Sequence, residues 1–296
     1  MKTVTEPNYN NSSLTPREGT ENETSRTLTP LPPPPQKSRM PGTELQDRVN
    51  LLSEIMLAYA GVMFLSSLFM RAPYGRYTST RYGKLTIPSN LAWFIQESSC
   101  FFTALYVLLT TLRRSIPSVN KVLLFMFFAH YFQRGFVYPY LMKKSQEHPL
   151  FITLNAVLFC VYHGYLQAFY LVEAATYPAH HFYTPQFLLG SALFLIGMGT
   201  NMHSDHLLRS LRGSGESGYK IPRGGIFEYV SAGNYFGELL EWWGFALASW
   251  FSLPALSFAV FVALFLIPRG MHHHKFYQEK FEDYPKNRKA IIPFIL

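Results

Sequence analysis

Long apolar runs, separated by short polar segments, follow a polar first stretch of the chain. A helix needs roughly 20 apolar residues to cross about 30 Å of hydrocarbon, and seven runs approach that length. The predicted spans are Leu51–Met70, Leu91–Leu112, Val122–Met142, Phe151–Ala174, Gln186–Thr200, Asn234–Trp250 and Leu253–Pro268. A tight turn around Ser252 separates the last two. The pattern predicts an all-α membrane protein with seven transmembrane helices.

Residues 1–48 differ in character from the rest. They are polar, include the run from Pro32 to Pro35, and show neither a helical nor a strand period. A segment of this kind cannot bury a core, so we expect a disordered tail followed by one membrane domain over 49–296. The tail lacks the apolar core of a secretory signal. Its glycosylation patterns at Asn10, Asn11 and Asn22 matter only if it is lumenal.

Composition supports this picture. Of 296 residues, 48% are hydrophobic, 17% aromatic and only 15% charged, against about 25% charged in an average soluble domain. A disordered protein, a nucleic-acid-binding domain and a small disulfide scaffold are therefore excluded. Cys100 and Cys160 lie inside apolar runs, which predicts free thiols.

The net charge of +8 comes from basic residues between the apolar runs, as in membrane flanks. Several Lys and Arg follow the first, third, fifth and seventh runs. The opposite loops hold Arg113 and Arg114 after the second run, and none elsewhere. Because basic loops stay in the cytosol, the pattern predicts a lumenal N-terminus and a cytosolic C-terminus.

Strongly polar side chains are grouped at membrane depth, where each costs about 2.5–3.5 kcal/mol. The four groups are Gln96 with Glu97, Tyr131 with Arg134, Asn201 with His203 and Asp205, and Asn234 with Glu238 and Glu241. Single polar residues of this kind often join helices by hydrogen bonds. Four groups, most of them toward the cytosolic ends of their spans, favour a polar pocket that opens to the cytosol.

Two other motifs suggest a metal site and a dinucleotide fold, but their spacing supports neither. His272, His273 and His274 are consecutive, so on a helix they point in different directions and cannot close a tetrahedral metal site. Gly224-Gly225 lacks a preceding strand and the GxGxxG spacing, which excludes a Rossmann domain. No metal is expected.

Five motifs, in order over more than 200 residues, make the chain similar to the steroid 5α-reductases, also called 3-oxo-5α-steroid 4-dehydrogenases. They are Trp93-Phe94-Ile95-Gln96-Glu97, His130-Tyr131-Phe132-Gln133-Arg134, Asn201-Met202-His203-Ser204-Asp205, the segment from Ile221 to Glu238, and Phe281-Glu282-Asp283-Tyr284-Pro285-Lys286. The resemblance runs from about Tyr74 to Leu296 and leaves the type 1 and type 2 branches open.

The resemblance implies a multi-pass enzyme of the endoplasmic reticulum membrane that transfers hydride from NADPH to C5 of a 3-oxo-Δ4 steroid. It implies cytosolic loops that close over a dinucleotide pocket, and a steroid of the testosterone or progesterone type that arrives from the bilayer. Membrane lipid is thus an expected partner. Neither nucleic acid nor an obligate protein partner is expected.

Residue roles follow from the same resemblance. Tyr131 and Glu97 are the expected catalytic groups at the C3 carbonyl, where hydrogen-bond donors stabilise the developing enolate. The expected substrate-binding residues are Gln96, Arg134, Trp242, Phe265 and Leu266. The expected cofactor-binding residues are Asn201, Asp205, Arg212, Tyr219, Lys220, Asn234, Glu238, His273 and Tyr277.

Two departures from the family pattern concern the cofactor. The usual Arg-Lys-Pro-Gly reads Arg212-Gly213-Ser214-Gly215, and Lys220 replaces an Arg found in part of the family. Lysine lacks the bidentate fork of arginine, which weakens the expected preference for a 2′-phosphate. The alternatives left open are a reductase of another lipid, such as a polyprenol or an enoyl-CoA, and a lipid-binding or channel protein without chemistry.

Overall fold

The protein is mostly helical. The computed structural model describes residues 42–71, 75–77, 84–111, 115–142, 147–211 and 218–296, all within one of the two compact units of the chain, Met40–Leu296. The α-helices are α1 (Gly42–Phe69), α2 (Ser89–Thr110), α3 (Ser118–Phe132), α4 (Tyr138–Leu141), α5 (Leu150–Phe169), α6 (Pro185–Ser210), α7 (Gly233–Ala248) and α8 (Leu253–Lys280). Two π-helical segments, Gln133–Val137 and Tyr170–Ala174, continue α3 and α5. Short 3-10 turns occupy Gly75–Tyr77, Ala179–Tyr183 and Gly225–Glu228.

Each predicted apolar run corresponds to a helix, but four boundaries differ. Helix α6 continues past Thr200, where the prediction ended it, to Ser210. Helix α1 begins at Gly42, so residues 42–48 belong to the helix and not to the predicted tail, most of which lies outside the described residues. The third run is divided into α3, a π turn and α4. Helix α8 continues past Pro268, where the prediction ended it, to Lys280. Helices in membranes tolerate an internal proline because neighbouring groups satisfy the freed carbonyl.

Four helices are long and apolar enough to cross a membrane: Gly42–Phe69, Ser89–Thr110, Leu150–Ala174 and Leu253–Lys280. This finding fits an all-α, multi-pass membrane protein. The helices of the remaining predicted spans do not meet that criterion. Helix α7 has 16 residues, about 24 Å at 1.5 Å per residue, and α6 carries Asn201, His203 and Asp205 in its last turns.

Glycines bring α6 and α7 into backbone contact. Gly190 and Gly197 lie on α6, and Gly244 and Gly237 lie opposite them on α7. A Cβ on Gly197 would lie 2.3 Å from the nitrogen of Glu241, and one on Gly237 would lie 2.4 Å from the nitrogen of Asn201. Small residues allow this approach. The contact sets the polar end of α6 beside the start of α7.

Two short connections complete the described fold. Strands β1 (Thr86–Pro88) and β2 (Glu147–Pro149) pair antiparallel and precede α2 and α5. Between α7 and α8 the predicted tight turn is present, with Trp250 and Phe251 at positive φ of 56° and 50°. Both cysteines are buried and free, as predicted.

The residues after α8 fold back against the loop before α7. Lys289 forms a parallel bridge with Val230, and the Ser231 hydroxyl lies 2.5 Å from both the Tyr284 hydroxyl and Nδ1 of His274. Burial raises the pKa of Tyr284 above its ordinary value, against the opposing effect of its bond to Ser231. The C-terminal segment thus fixes the start of α7, which carries part of the site.

Candidate active site

Arg134 lies in the π-helical segment after α3, and its guanidinium is almost fully buried. Nη1 donates to Oδ2 of Asp205 over 2.9 Å. The rings of Trp93 and Tyr138 lie 4.9 and 4.4 Å from the guanidinium carbon. Gly135 makes room for this segment against α2, because a Cβ there would meet the nitrogen of Ser98 at 3.0 Å. Ion pairing and cation–π contacts together compensate the desolvated charge.

Asp205, the partner of Arg134, is also hydrogen-bonded to a chain of asparagine amides. Its Oδ1 accepts a hydrogen bond from Nδ2 of Asn234 at 3.3 Å. Asn201 Nδ2 in turn donates to the backbone oxygen of Asn234 at 2.9 Å. Glu238, one turn further along α7, has Arg134 as an electrostatic neighbour. The structure therefore brings together four of the predicted cofactor residues and Arg134, from α6, α7 and the π segment.

Tyr131 lies in the last turn of α3 and is 4% exposed. Its ring centre is 4.7 Å from that of Phe127 and 6.0 Å from that of Trp242. The Tyr131 hydroxyl has the Cys100 thiol and the Glu97 carboxyl as neighbours. Glu97, on α2, is half-buried and has Arg134 as a neighbouring positive charge. The two predicted carbonyl-polarising groups are thus close to each other and to Arg134.

Sequence reasoning missed a buried pair beside Tyr131. His130 Nδ1 lies 2.7 Å from Oε1 of Glu241, with both side chains buried. The His130 ring also packs against Trp242, with ring centres 4.6 Å apart. The sequence placed Glu241 on the polar face of its helix, but the partner is 111 positions away. Only the packing of α3 against α7 reveals it.

The predicted substrate residues divide into two sets. Gln96 and Trp242 are buried, and the Trp242 ring lies beside Tyr131. Neither Gln96 Nε2 nor Trp242 Nε1 has a hydrogen-bond partner among the described residues. Leu266 is buried on α8, and Phe265 stacks on Phe261 with ring centres 5.7 Å apart. No ring contact within the described chain joins Phe265 to Tyr131 or Trp242.

The remaining predicted cofactor residues that the structure describes lie along the last turns of α8 and in the segment that begins at Gly218. His273 Nε2 is 3.1 Å from the Tyr235 hydroxyl, which accepts from Nε of Arg269 at 2.5 Å. Tyr235 and Arg269 were not predicted, although each lies within four residues of a predicted position. His274 instead contacts Ser231, so the consecutive histidines do point in different directions.

Two tyrosines and one lysine of the predicted set lie near the C-terminal end of α8. Tyr277 is buried and stacks on Tyr284, with ring centres 5.5 Å apart. Tyr219 packs against Phe276 at 5.0 Å, and Lys220 beside it is exposed. Arg212 lies outside the described residues.

The arrangement combines two kinds of chemistry. Hydrogen-bond donors are buried among aromatic rings around Tyr131, which suits a flat apolar molecule with a carbonyl oxygen. Amide and carboxyl groups lie next to it at Asn201, Asp205 and Asn234, and basic and aromatic groups follow toward the end of α8. Such a donor set can hold the hydroxyls, amide and phosphates of a dinucleotide.

Comparisons with known proteins agree with this chemistry. A family model described as 3-oxo-5-alpha-steroid 4-dehydrogenase matches residues 146–296. The chain is 47% identical over 254 residues to 3-oxo-5-alpha-steroid 4-dehydrogenase 1 of Rattus norvegicus, covering 84% of this chain and 97% of that relative. It is 46% identical over 261 residues to the Bos taurus protein of the same name, covering 86% and 100%. It is 48% identical over 223 residues to 3-oxo-5-alpha-steroid 4-dehydrogenase 2 of Sus scrofa, covering 75% and 87%. The chain therefore belongs to the 3-oxo-5-alpha-steroid 4-dehydrogenase family of oxidoreductases.

Proposed function

We propose that the protein reduces the C4–C5 double bond of 3-oxo-Δ4 steroids, of the testosterone or progesterone type, with NADPH. The observation that carries the proposal is the buried network around Arg134. It joins the neighbourhood of Tyr131 and Glu97 to the Asp205, Asn234 and Asn201 side chains. A carbonyl site and a dinucleotide site that share one wall suit hydride transfer between two bound molecules.

Tyr131 and Glu97 act on the C3 carbonyl of the substrate. Addition of hydride at C5 sends negative charge to the C3 oxygen, which becomes an enolate oxygen. Tyr131 donates a hydrogen bond to that oxygen, and protonated Glu97 donates a second. A preorganised donor at a developing oxyanion contributes about 2.7–4 kcal/mol. The C4 proton comes from water or from Tyr131.

NADPH is the source of the hydride, and the chain's residues bind and orient it. Asn201, Asp205, Asn234 and Glu238 would hold the nicotinamide–ribose half. Arg212, Tyr219, Lys220 and His273 would bind the phosphates, and Tyr277 would contact the adenosine. Fit is supported by Ser204, a buried hydroxyl next to Asp205 that has no hydrogen-bond partner in the described part of the chain.

We further propose seven membrane crossings in the endoplasmic reticulum, with a lumenal N-terminus. Support comes from the four apolar helices and from α3, α6 and α7, which pack between them in the same core. The steroid then enters from the bilayer. The dinucleotide enters from the cytosol, where the basic loops lie.

The proposal is tested with purified protein in lipid nanodiscs. NADPH deuterated at the transferable position is added with testosterone, progesterone or a polyprenol. We expect steroid-dependent NADPH oxidation and a 5α-reduced 3-oxo product that carries deuterium at C5. A saturated 3-oxo-5α-steroid, which has no double bond to reduce, is the control. Reduction of the polyprenol and not of either steroid would instead support the rival lipid reductase.

A further inference from the structure

His163, on α5, is a fully buried histidine that the proposed reaction does not yet use. Its ring stacks on Phe258, with centres 3.5 Å apart, and its exposed fraction is 0%. Neither Nδ1 nor Nε2 has a hydrogen-bond partner among the residues that the structure describes. A neutral imidazole offers one N–H donor and one acceptor nitrogen, so both of its polar positions are unmet.

An unpartnered imidazole is costly in such a place. The rings around it are aromatic: Phe127 at 5.5 Å and Phe159 at 6.2 Å, besides Phe258. A buried polar group without a partner has lost its hydrogen bonds to water and gained none in exchange. Phenylalanine would fill a similar volume without that cost. Groups of this kind are explained by a ligand, a bound water or a functional role.

The position of His163 relative to Tyr131 indicates the role. The ring centres of Tyr131, His163 and Trp242 are 5.9, 5.9 and 6.0 Å apart, which is a nearly equilateral triangle. All three rings carry a hydrogen-bond donor. Trp242 Nε1, like both His163 nitrogens, has no partner within the described chain. Three rings that carry hydrogen-bond donors therefore pack against one another in an otherwise apolar region.

The close packing of α5 against α2 holds this triangle in place. Gly164 follows His163, and a Cβ there would lie 2.6 Å from the backbone oxygen of Cys100. The same turn of α2 supplies Glu97 and the Cys100 thiol to the neighbourhood of Tyr131. A rotation of α5 that brought a larger side chain to this contact in place of Gly164 is sterically opposed. The imidazole is thus presented by a rigid element, as a preorganised donor requires.

We infer that His163 and Trp242 complete, with Tyr131, a three-donor site for the ketone oxygen of the substrate. This inference rests on the proposed steroid reduction and adds His163 to its catalytic groups. The imidazole N–H donates a hydrogen bond to the C3 oxygen and retains its proton. The negative charge that reaches this oxygen with hydride is shared among the three donors, and no covalent bond to the ring forms.

The test is the His163→Phe substitution in the full-length protein in nanodiscs, with kcat, the apparent KM for testosterone and the Kd for NADPH measured together. Loss of one oxyanion donor typically lowers kcat about 100- to 1,000-fold, so we expect at least about a tenfold loss. The Kd for NADPH should stay within about twofold, because His163 is not one of the residues proposed to bind NADPH. Removal of two unmet polar atoms should leave the melting temperature unchanged or raised.

Two further variants separate a donor from a packing residue. His163→Gln, which keeps an N–H donor, should retain more of kcat than His163→Phe. His181→Phe is the matched control, since His181 is also fully buried but its Nε2 is 2.8 Å from the Ala248 oxygen. His181→Phe should lower the melting temperature and leave kcat per folded molecule unchanged.

The outcomes are distinct. A His163→Phe protein that reduces testosterone with kcat within twofold of wild type overturns the role of His163 and leaves the proposed function standing. If His163→Phe does not fold, His163→Leu takes its place, and the ratio of affinities for a 3-oxo-5α-steroid and its 3-deoxo analogue is measured in the wild type and in the variant. A ratio that is the same in both proteins overturns the role of His163 at the ketone oxygen. A wild-type protein that reduces no steroid removes the proposed function and this inference with it.

Discussion

Arg134 is the residue at which the two parts of the candidate site meet. Its guanidinium pairs with Asp205 on one side and is enclosed by Trp93 and Tyr138 on the other. Glu97 lies in the same electrostatic neighbourhood. Removing one member of a buried ion pair leaves an uncompensated charge and costs about 3–5 kcal/mol. Substitutions of Asp205 are therefore expected to affect folding as well as cofactor binding, and they are poor probes of chemistry alone.

Tyr131→Phe and Glu97→Gln are the cleaner probes. Tyr131→Phe removes the hydroxyl donor with little change in volume, and Glu97→Gln replaces the carboxyl by an amide of similar size, which keeps an N–H donor. We expect kcat to fall about 100-fold in Tyr131→Phe, which is the usual effect of losing one such donor, and to fall less in Glu97→Gln, whose amide N–H is a weaker donor than a carboxyl O–H. NADPH binding, measured by fluorescence titration, should change little.

The complementary variants are Asn201→Ala and Asn234→Ala. Both substitutions should raise the apparent KM for NADPH, because the Asn201 and Asn234 side chains belong to the amide chain next to Asp205.

The Tyr131 prediction also has a contradicting outcome. Near-normal kcat in the Tyr131→Phe protein would remove Tyr131 from the mechanism.

Arg212 and Lys220 should determine the choice of NADPH over NADH. The 2′-phosphate adds up to two negative charges, and charge-assisted hydrogen bonds contribute about 1.5–3 kcal/mol each. Replacing both residues by Gln should weaken NADPH binding at least about tenfold and change NADH binding little. The difference should shrink as salt is raised. An equal loss for both cofactors would show that these side chains hold the shared pyrophosphate instead.

At the scale of elements, the α6–α7 contact determines how the site is assembled. Gly197→Ala would place a methyl group 2.3 Å from the backbone nitrogen of Glu241, so the helices must separate. Overpacking of this kind costs about 1–3 kcal/mol, which exceeds the gain in helix propensity of up to about 1 kcal/mol. We expect a lower melting temperature and weaker NADPH binding, because Asn201 moves with α6.

Gly199→Ala is the control for that substitution. It lies on the same helix, and a Cβ there meets nothing within 4 Å, so only the propensity gain applies. Its melting temperature should equal or exceed that of the wild type. Equal melting temperatures for the two variants would disprove the close helix contact.

The β1–β2 connection contains a pH-sensitive histidine. His148 is 2% exposed, and its Nδ1 lies 3.0 Å from the Thr153 hydroxyl. Burial lowers the pKa of His148 below its ordinary value, and the positive charge of Arg269 adds to this effect. The folded state disfavours the protonated ring. The contribution of neutral His148 to the free energy of unfolding is therefore fully present above about pH 6.5 and is lost as pH falls through the pKa of His148 in the folded state.

Thermal unfolding between pH 7.5 and 5 measures this effect. The wild type should lose stability over that interval more steeply than His148→Gln, by at most about 1.4 kcal/mol per pH unit. His180→Gln, at an exposed position, controls for the removal of a histidine. Parallel curves for wild type and His148→Gln would contradict the assignment.

At the scale of the whole molecule, the distribution of basic residues among the loops predicts the orientation in the membrane. The charges at and after the end of α8 include Lys280, Lys286 and Lys289, and the proposed dinucleotide site lies on the same side. In sealed microsomes, protease should therefore cleave the C-terminal segment and spare the N-terminal tail. Use of Asn10, Asn11 or Asn22 for glycosylation would add mass that a deglycosylating enzyme removes. Cleavage of the tail in intact vesicles would overturn the topology.

The order of amino acids along the chain was enough to predict the helices and the kind of chemistry. Apolar runs of sufficient length form helices in a membrane because no other open structure satisfies their backbone groups, and each predicted run is helical in the structure. Polar residues at membrane depth are costly, so their grouping at Glu97, Tyr131 and Asp205 indicates a functional site from the amino-acid pattern alone. The family motifs at these positions pointed to the same residues, and the comparisons confirmed the family.

Which of these groups touch was decided by the packing of the helices. Helical periodicity shows which face of a helix is polar, but not which neighbour that face meets. The His130–Glu241 pair spans 111 positions and the Arg134–Asp205 pair spans 71, and neither spacing has a local signature. The same is true of the triangle of Tyr131, His163 and Trp242. Helix pairing depends on where backbones can approach, and here small residues such as Gly164 and Gly197 allow that approach.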